Sequence, residues 1–338
     1  MKAIKILKPG EMKILEQSIP RYGDDDILVK LKYVGFCGSD LNTFLGKNSL
    51  VKYPVIPGHE ISGIISHIGN NVPHTYKIGD KITVIPYTNC GQCSSCKRGK
   101  FNACRYNQTL GVQRDGAMVE YLVIPWQKVL IENQLSDYLL ALVEPLTVGF
   151  HAVDNGKVTD ADVVMVLGCG MIGSGAIIRS SRRGATVIAV DIDDYKLETA
   201  KILGAGYIIN SKKENLHEKL EKITIGNGPD VVIEAAGSPA TYQTAIEEVA
   251  FGGRMVCIGY TNEEVSLPTR LWVQKELEIL GSRNANPIDF ESVIKYLKSG
   301  NLNENLLISK IVKPEEAPIA MKEWSGDQKN IFKILVQF

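Results

Sequence analysis

The rhythm of apolar and polar positions changes near residue 160. Upstream, short β-branched runs are punctuated by glycine and proline, as in residues 26–33 (Asp-Ile-Leu-Val-Lys-Leu-Lys-Tyr) and 81–86 (Lys-Ile-Thr-Val-Ile-Pro). That pattern predicts an antiparallel, barrel-like β domain over residues 1–150. Downstream, apolar runs at residues 163–167, 186–190, 207–209, 231–234, 254–258 and 277–280 are separated by helical stretches. One of these runs from the end of the first strand to Arg183, where Gly184 is placed to end it, and others cover residues 195–203, 214–224 and 240–250. Fully apolar strands between amphipathic helices mean a parallel sheet covered on both faces. Six of them in this order predict an α/β, doubly wound dinucleotide-binding (Rossmann) domain over residues 151–284. A helix around residues 290–298 and a strand at residues 331–336 are expected to return the chain to the first domain over residues 285–338.

Length and charge narrow the function. The 338 residues suit two domains, each with its own core. The 38 basic and 38 acidic side chains leave no net field for nucleic acid or an anionic membrane, so neither is an expected partner. The alternation of charge and apolar residues in Met1-Lys2-Ala3-Ile4-Lys5-Ile6 reads as a strand and lacks the apolar core of a signal peptide. No run reaches the length of a transmembrane helix. Seven cysteines, four of them in one cluster, point to a reducing, cytoplasmic compartment.

That cluster, Cys90, Cys93, Cys96 and Cys104, occupies a loop at about residues 88–106. Gaps of two residues let successive thiolates turn back on one ion, and a fourth sulfur closes a tetrahedral shell, for which zinc is the first candidate. An iron–sulfur cluster of the bacterial ferredoxin type needs its fourth cysteine after three residues and before proline, whereas Cys104 follows after seven and precedes Arg105. A closed four-cysteine shell leaves no position for substrate, so it predicts a structural site.

The strand ending at Leu167 runs into Gly168-Cys169-Gly170-Met171-Ile172-Gly173. Before a helix, Gly168 permits the turn, Gly170 lets the backbone approach a pyrophosphate, and Gly173 lets the helix pack closely, while the helix N-terminus supplies amide donors. Asp191, eighteen positions after Gly173, stands where a carboxylate accepts from the adenosine ribose. Asp193 and Asp194 follow it, which favours NAD over NADP, although Lys196 lies within reach of the same ribose. Ile172 and Gly259 complete the expected cofactor contacts.

Cys37-Gly-Ser39-Asp40, Gly58-His59-Glu60, the four cysteines, Glu144-Pro145-Leu146 and the glycine fingerprint occur in this order. Together they resemble the zinc-containing medium-chain alcohol and polyol dehydrogenases over essentially the whole chain. The resemblance implies a GroES-like catalytic domain before the cofactor domain, two zinc ions per chain, NAD, and a homodimer or homotetramer. It implies a catalytic zinc held by Cys37 and His59, with Glu60 as a further ligand and Glu144 bound to the metal or just outside it. Neighbouring side chains on a strand face opposite ways, so His59 and Glu60 reach one ion only if the backbone bends at Pro57-Gly58. Asp40 is then expected to fix the histidine tautomer, and Ser39 to pass the alcohol proton outward. Where the family commonly carries a relay histidine, this chain has Asn42, which cannot change protonation near neutral pH. A Lewis-acidic ion lowers the pKa of a bound hydroxyl to give an alkoxide, much as it takes water from about 15.7 to about 7, and hydride then leaves for the nicotinamide.

Within the family, Ile279-Leu280-Gly281-Ser282-Arg283-Asn284-Ala285 is most similar to the branch that oxidises sugar acids such as L-galactonate or L-gulonate at a secondary hydroxyl. Arg283, with Asn284, is the expected contact for a substrate carboxylate, with bracing of the domain junction or the cofactor as the competing role for Arg283. Sorbitol-, butanediol- and threonine-type dehydrogenases are the enzymatic alternatives. A zinc-free quinone reductase is disfavoured by the two ligand sets, and a zinc-ribbon protein by the charge balance. An NAD-binding zinc protein without turnover is the alternative of another class.

Overall fold

The computed structural model describes residues 1–329 and 331–338. It divides into two compact units, Met1–Glu144 with Asn286–Phe338, and Pro145–Ala285. The first unit opens with an antiparallel pair, β1 (Lys2–Lys8) and β2 (Glu11–Glu16). Then come β3 (Asp26–Phe36), α1 (Gly38–Phe44), β4 (Glu60–Ile68), β5 (Lys81–Val84), a single turn α2 (Ser94–Lys97), β6 (Tyr121–Pro125) and β7 (Val129–Ile131). β3 is the spine: Val34 and Gly35 pair with Ile61 and Glu60 of β4, and residues 26–30 pair with β6, all antiparallel. β5 and β7 continue the sheet beyond β4. Ile27, Val29, Leu31, Val34 and Phe36 of β3 are buried in a core with Ile61 and Ile65 of β4 and Ile82 and Val84 of β5. β-Branched side chains fit this pleated, enclosed surface.

A 19-residue helix, α3 (Asp137–Asn155), carries the division between the units at Glu144 and Pro145. In the second unit, β8 (Val163–Leu167), α4 (Met171–Arg182), β9 (Thr186–Asp191), α5 (Asp194–Ile202), β10 (Tyr207–Asn210), α6 (Leu216–Thr224), β11 (Val231–Glu234), α7 (Pro239–Glu248), β12 (Arg254–Cys257), α8 (Thr269–Gln274) and β13 (Glu278–Gly281) alternate. The six strands form one parallel sheet in the order β10-β9-β8-β11-β12-β13. The reversal of direction between β8 and β11 is the switch point at which such sheets bind ligands. All four residues of β11 are buried, as a strand covered on both faces requires. The chain then returns to the first unit with α9 (Pro287–Lys298), β14 (Lys310–Val312), α10 (Ala317–Gly326) and β15 (Ile334–Gln337), and β15 pairs with β3.

The α/β class and the six strands agree with the sequence reading to within a residue at each end. Three features differ. The last strand begins at Ile334 rather than residue 331, and α9 begins at Pro287, where Asn286 and Asp289 form a capping box. α3 lies in a stretch read as β structure. Its residues from Leu140 to Thr147 are buried without interruption, so no amphipathic period marks it, and Pro145 interrupts the pattern further. Among the described residues no helix is long and apolar enough to cross a membrane.

Phe290 of α9 is fully buried and meets Tyr87 edge-on, with ring centroids 6.4 Å apart. Phe290→Ala is expected to cost about 3–5 kcal/mol, read as a lowered midpoint in urea unfolding; a change under about 1 kcal/mol would show that the site collapses around the loss.

Candidate metal and dinucleotide sites

Cys37 follows β3 as the residue capping α1, and His59 and Glu60 lie where the chain enters β4. Gly58 has φ +96°, so the backbone bends immediately before His59. With that bend, one ligand atom each from Cys37, His59 and Glu60 lies within 4.8 Å of the others. The bend expected at Pro57-Gly58 is therefore present, and the thiol, imidazole and carboxylate converge. The loop is sealed by a second chain segment: a Cβ on Gly111 or Gly116 would stand 2.6 or 2.5 Å from Gly58 backbone atoms.

Glu60 is fully buried, and its Oε1 accepts from the Nζ of Lys333 at 2.5 Å. Lys333, 2% exposed, also donates to Phe36 O at 3.0 Å. Burial alone would lower the Lys333 pKa, but the charges of Glu60 and Cys37 outweigh it and hold the ammonium above its ordinary value. Glu60 Oε2 has no partner. A Cβ on Gly35, paired with Glu60 across the sheet, would come within 2.0 Å of that oxygen, so glycine preserves its space. Glu144 on α3 is buried and accepts from the hydroxyl of Tyr87. It lies outside the 4.8 Å group but close enough for its charge to act on His59.

Asp40 corrects one expectation. Its carboxylate does not hold the His59 ring; Oδ2 accepts from Cys37 N at 2.8 Å and Oδ1 from Gly58 N at 3.1 Å, while His59 Nδ1 has no hydrogen-bond partner. Asp40 thus fixes the backbone just before each ligand-type side chain. Burial raises its pKa, partly offset by His59 and by those two amides. Burial acts to lower the His59 pKa, but Cys37, Glu144 and Asp40 overcome it and raise it well above the ordinary value. The cluster therefore crowds four acidic side chains against Lys333 and His59 and leaves His59 Nδ1 and Glu60 Oε2 without partners, and this is the environment a divalent cation relieves. The Ser39 hydroxyl oxygen is also buried without a partner, whereas Asn42 is exposed.

Cys90, Cys93, Cys96 and Cys104 also converge within 4.8 Å, and all four are free thiols. Backbone N–H groups of Cys90 and Tyr106 point at Cys104 Sγ, and that of Cys93 at Cys90 Sγ, each at 3.3 Å. The Ser95 hydroxyl and the Cys96 and Arg105 amides lower the Cys93 pKa to about 5. Burial and the neighbouring sulfurs push Cys96 up to about 12. Four thiolates at this spacing need a cation to ionise together.

In the second unit, Gly168 adopts φ +92° at the end of β8, and Gly170 precedes α4 with nothing within 4 Å of where a Cβ would stand. Gly173 permits no side chain, because its Cβ would fall 1.9 Å from Gly168 O. Ile172 lies between them on the first turn of α4. Behind this turn α3 meets α4 through Gly149 and Gly175, whose Cβ atoms would reach 2.4 and 2.6 Å from the opposite backbone. Asp191 ends β9 and accepts from Cys169 N at 2.7 Å, Ile192 N at 2.7 Å and Asp193 N at 3.0 Å. A carboxylate has about four acceptor positions, so Asp191 anchors the glycine loop and keeps one free. Asp193 caps α5 at Tyr195 N, and the charge of Lys196 reaches the Cys169 thiol beside Asp191. Gly259 follows β12 against Gly237, and its carbonyl accepts from Tyr242. Arg283 is exposed after β13, and Asn284 adopts φ +53°.

Three participants were not read from the sequence. Lys333 and Tyr87 meet their carboxylates only through sheet pairing and helix packing, and no spacing signals them. The third, Glu234, is buried at the end of β11, where its Oε1 accepts from Ala236 N, Gly237 N and Thr241 Oγ1. A glutamate ending an otherwise apolar strand is a signal that could have been used.

Comparison with known proteins agrees with this geometry. Residues 23–133 match the alcohol dehydrogenase GroES-like domain family, and residues 172–299 the zinc-binding dehydrogenase family. The sorbitol dehydrogenase of Bacillus subtilis is 33% identical, over 99% of this chain and 97% of that protein. The L-galactonate-5-dehydrogenase of Escherichia coli is 30% identical, over 89% of this chain and 88% of its own. The crystal structure of the alcohol dehydrogenase RspB of Escherichia coli CFT073, complexed with NADH, superposes with a TM-score of 0.92 at 32% identity, covering 100% and 99% of the two chains.

Gly173→Ala is expected to destabilise the chain by about 1–3 kcal/mol and to weaken NADH binding in a fluorescence titration. Undiminished NADH affinity would contradict the close packing of α4 on Gly168.

Proposed function

The chain belongs to the zinc-containing medium-chain alcohol dehydrogenase family, and within it we propose that this protein oxidises a secondary hydroxyl of an aldonate, such as L-galactonate or L-gulonate, to the ketone with NAD as acceptor. The observation that carries this reading is the convergence of Cys37, His59 and Glu60 on one point. The sugar-acid assignment draws support from the similarity to L-galactonate-5-dehydrogenase.

The thiol, the imidazole and the unpartnered Glu60 oxygen form a donor set suited to zinc. Bound there, zinc would supply Lewis acidity to a substrate hydroxyl, and NAD on the glycine loop would supply the hydride acceptor. Cys37 and His59 are the fixed ligands, held by the Asp40 contacts to Cys37 N and Gly58 N. Lys333 tethers one Glu60 oxygen and leaves the other able to turn toward the ion. Glu144, held by Tyr87, adds negative charge beside the ligands. Ser39, with its buried and unpartnered hydroxyl, takes the alcohol proton. Asn42 cannot carry that proton further, so the exit runs through water or a coenzyme hydroxyl. Cys90, Cys93, Cys96 and Cys104 hold a second, structural zinc. Gly168, Gly170, Ile172, Gly173 and Gly259 would hold NAD, and Asp191 with Lys196 would meet its ribose. Arg283 and Asn284 follow β13, where the Arg283 guanidinium serves either the substrate carboxylate or the coenzyme.

A neutral polyol is the second reading, favoured by the similarity to sorbitol dehydrogenase over nearly the full length of both chains. Steady-state turnover on an aldonate and on the matching neutral polyol decides between them: the aldonate is expected to have the higher kcat/KM, and equal efficiency would favour the polyol. Cys37→Ser is expected to abolish turnover while NADH binding persists. Persistent turnover in that variant would remove the catalytic role of Cys37, and NADH binding with no NADH formation from any alcohol by the wild type would point to a coenzyme-binding protein without turnover.

A further inference from the structure

Two cations of the first unit are brought together without a counter-charge. Arg114 lies in the loop that seals the His59 bend: Leu110 forms a β-bridge with Arg114, and Gly111 N donates to Arg114 O at 2.9 Å. Leu110 N donates to Pro86 O at 3.1 Å, and Ile85 N donates to Lys128 O at 2.8 Å. The same short segment therefore pins the Arg114 loop and Lys128 side by side. Neither side chain has a carboxylate within ion-pairing distance among the described residues. Arg114 Nε is buried with no hydrogen-bond partner, and Lys128 Nζ reaches only Asn89 Oδ1, at 3.4 Å. The nearest acids in sequence are committed elsewhere, Asp115 to Ile56 N and Glu132 to Lys298. Burial lowers the Arg114 pKa, and burial with the Arg114 charge lowers that of Lys128, so the two cations are half-desolvated and repel each other.

The place of this pair in the fold bears on the metal cluster. After Arg114 the chain runs along residues 56–58, with Gly116 N donating to Ile56 O at 2.7 Å, Met118 N to Pro57 O at 3.0 Å and Ala117 N to Gly58 O at 2.9 Å. Those residues lead directly into His59. On the other side, Pro86 precedes Tyr87, whose hydroxyl holds Glu144. The segment that carries Arg114 thus lies on the bend before His59, and Lys128 is joined through Ile85 to the strand end that leads to Tyr87.

We propose that Arg114 and Lys128, with Asn89, form a subsite for the anionic group of the substrate, a carboxylate or a phosphate, whose hydroxyl is presented to the Cys37–His59–Glu60 cluster. A planar guanidinium beside an ammonium supplies the forked and point-like donors that either oxyanion accepts. This rests on the dehydrogenase reading for its substrate but not for its binding chemistry.

The test uses holoenzyme saturated with NADH, so that the glycine loop is filled, and titrates inorganic phosphate and gluconate by calorimetry. The wild type is expected to bind at least one of them, and Arg114→Gln and Lys128→Gln each to bind roughly tenfold to a hundredfold more weakly, with two zinc ions per chain retained. Absence of binding in the wild type, or equal binding by the variants, overturns the proposal. Loss of zinc in either variant also overturns it, because the pair would then serve to offset the charge of the cysteine lobe. In a second arm, the ratio of kcat/KM on an aldonate or a polyol phosphate to that on the neutral polyol is expected to fall about tenfold or more in Arg114→Gln; which charged substrate is affected identifies the group. A selective loss in Arg283→Gln with none in Arg114→Gln overturns it in favour of Arg283. Phosphate binding that depends on Arg114, in a protein that oxidises no alcohol, would instead sink the dehydrogenase reading and leave the subsite standing.

Discussion

The first unit is organised around a crowd of acidic side chains packed about one histidine. Cys37, Asp40, Glu60 and Glu144 surround His59 with little access to water, and Lys333 is the one ammonium drawn in among them. Such a grouping is costly unless each oxygen and sulfur is bonded or shares a cation. The surrounding structure supplies part of what is needed. Asp40 is spent on two backbone amides, Glu60 on Lys333 and Glu144 on Tyr87. His59 Nδ1 and the second oxygen of Glu60 remain without partners beside the Cys37 thiol, and these three side chains are the ones a metal ion would take.

The same constraint explains residues that carry no chemistry. Gly35 has no side chain because Glu60 fills the space across the sheet, and Gly58 adopts a left-handed conformation because a straight strand would send His59 and Glu60 to opposite faces. Gly111 and Gly116 then allow a second segment to lie on that bend. In the second unit steric exclusion does comparable work. Gly173 and Gly168 touch, Gly149 and Gly175 let α3 rest on α4, and Gly170 between them faces open space. Two close contacts and one open position describe a turn shaped to bring a phosphate to the start of α4.

Much of this was legible in the chain. The six parallel strands were readable because burial on both faces demands unbroken apolar runs, and the glycine fingerprint because its three roles need fixed spacing. The four cysteines could be grouped by local spacing alone. Cys37, His59 and Glu60 could be joined only through family resemblance, since twenty-two positions separate the first two. α3 escaped because a helix buried on all sides has no polar face to set its period, and Asp40 was given the wrong neighbour because its partners are main-chain amides rather than the ring beside them.

By itself, then, the sequence determined the elements whose signals are local: strand runs, the helix end at Gly184, the phosphate-binding turn and the cysteine lobe, each governed by interactions within a few residues. Tertiary structure alone decided which distant groups share a dielectric environment. Lys333 reaches Glu60 because β15 pairs with β3, Tyr87 reaches Glu144 across fifty-seven positions from the segment after β5, and Arg114 meets Lys128 because both are bonded to one short segment. Charge acts through space, and no pattern along a chain encodes which buried charges will have to face one another.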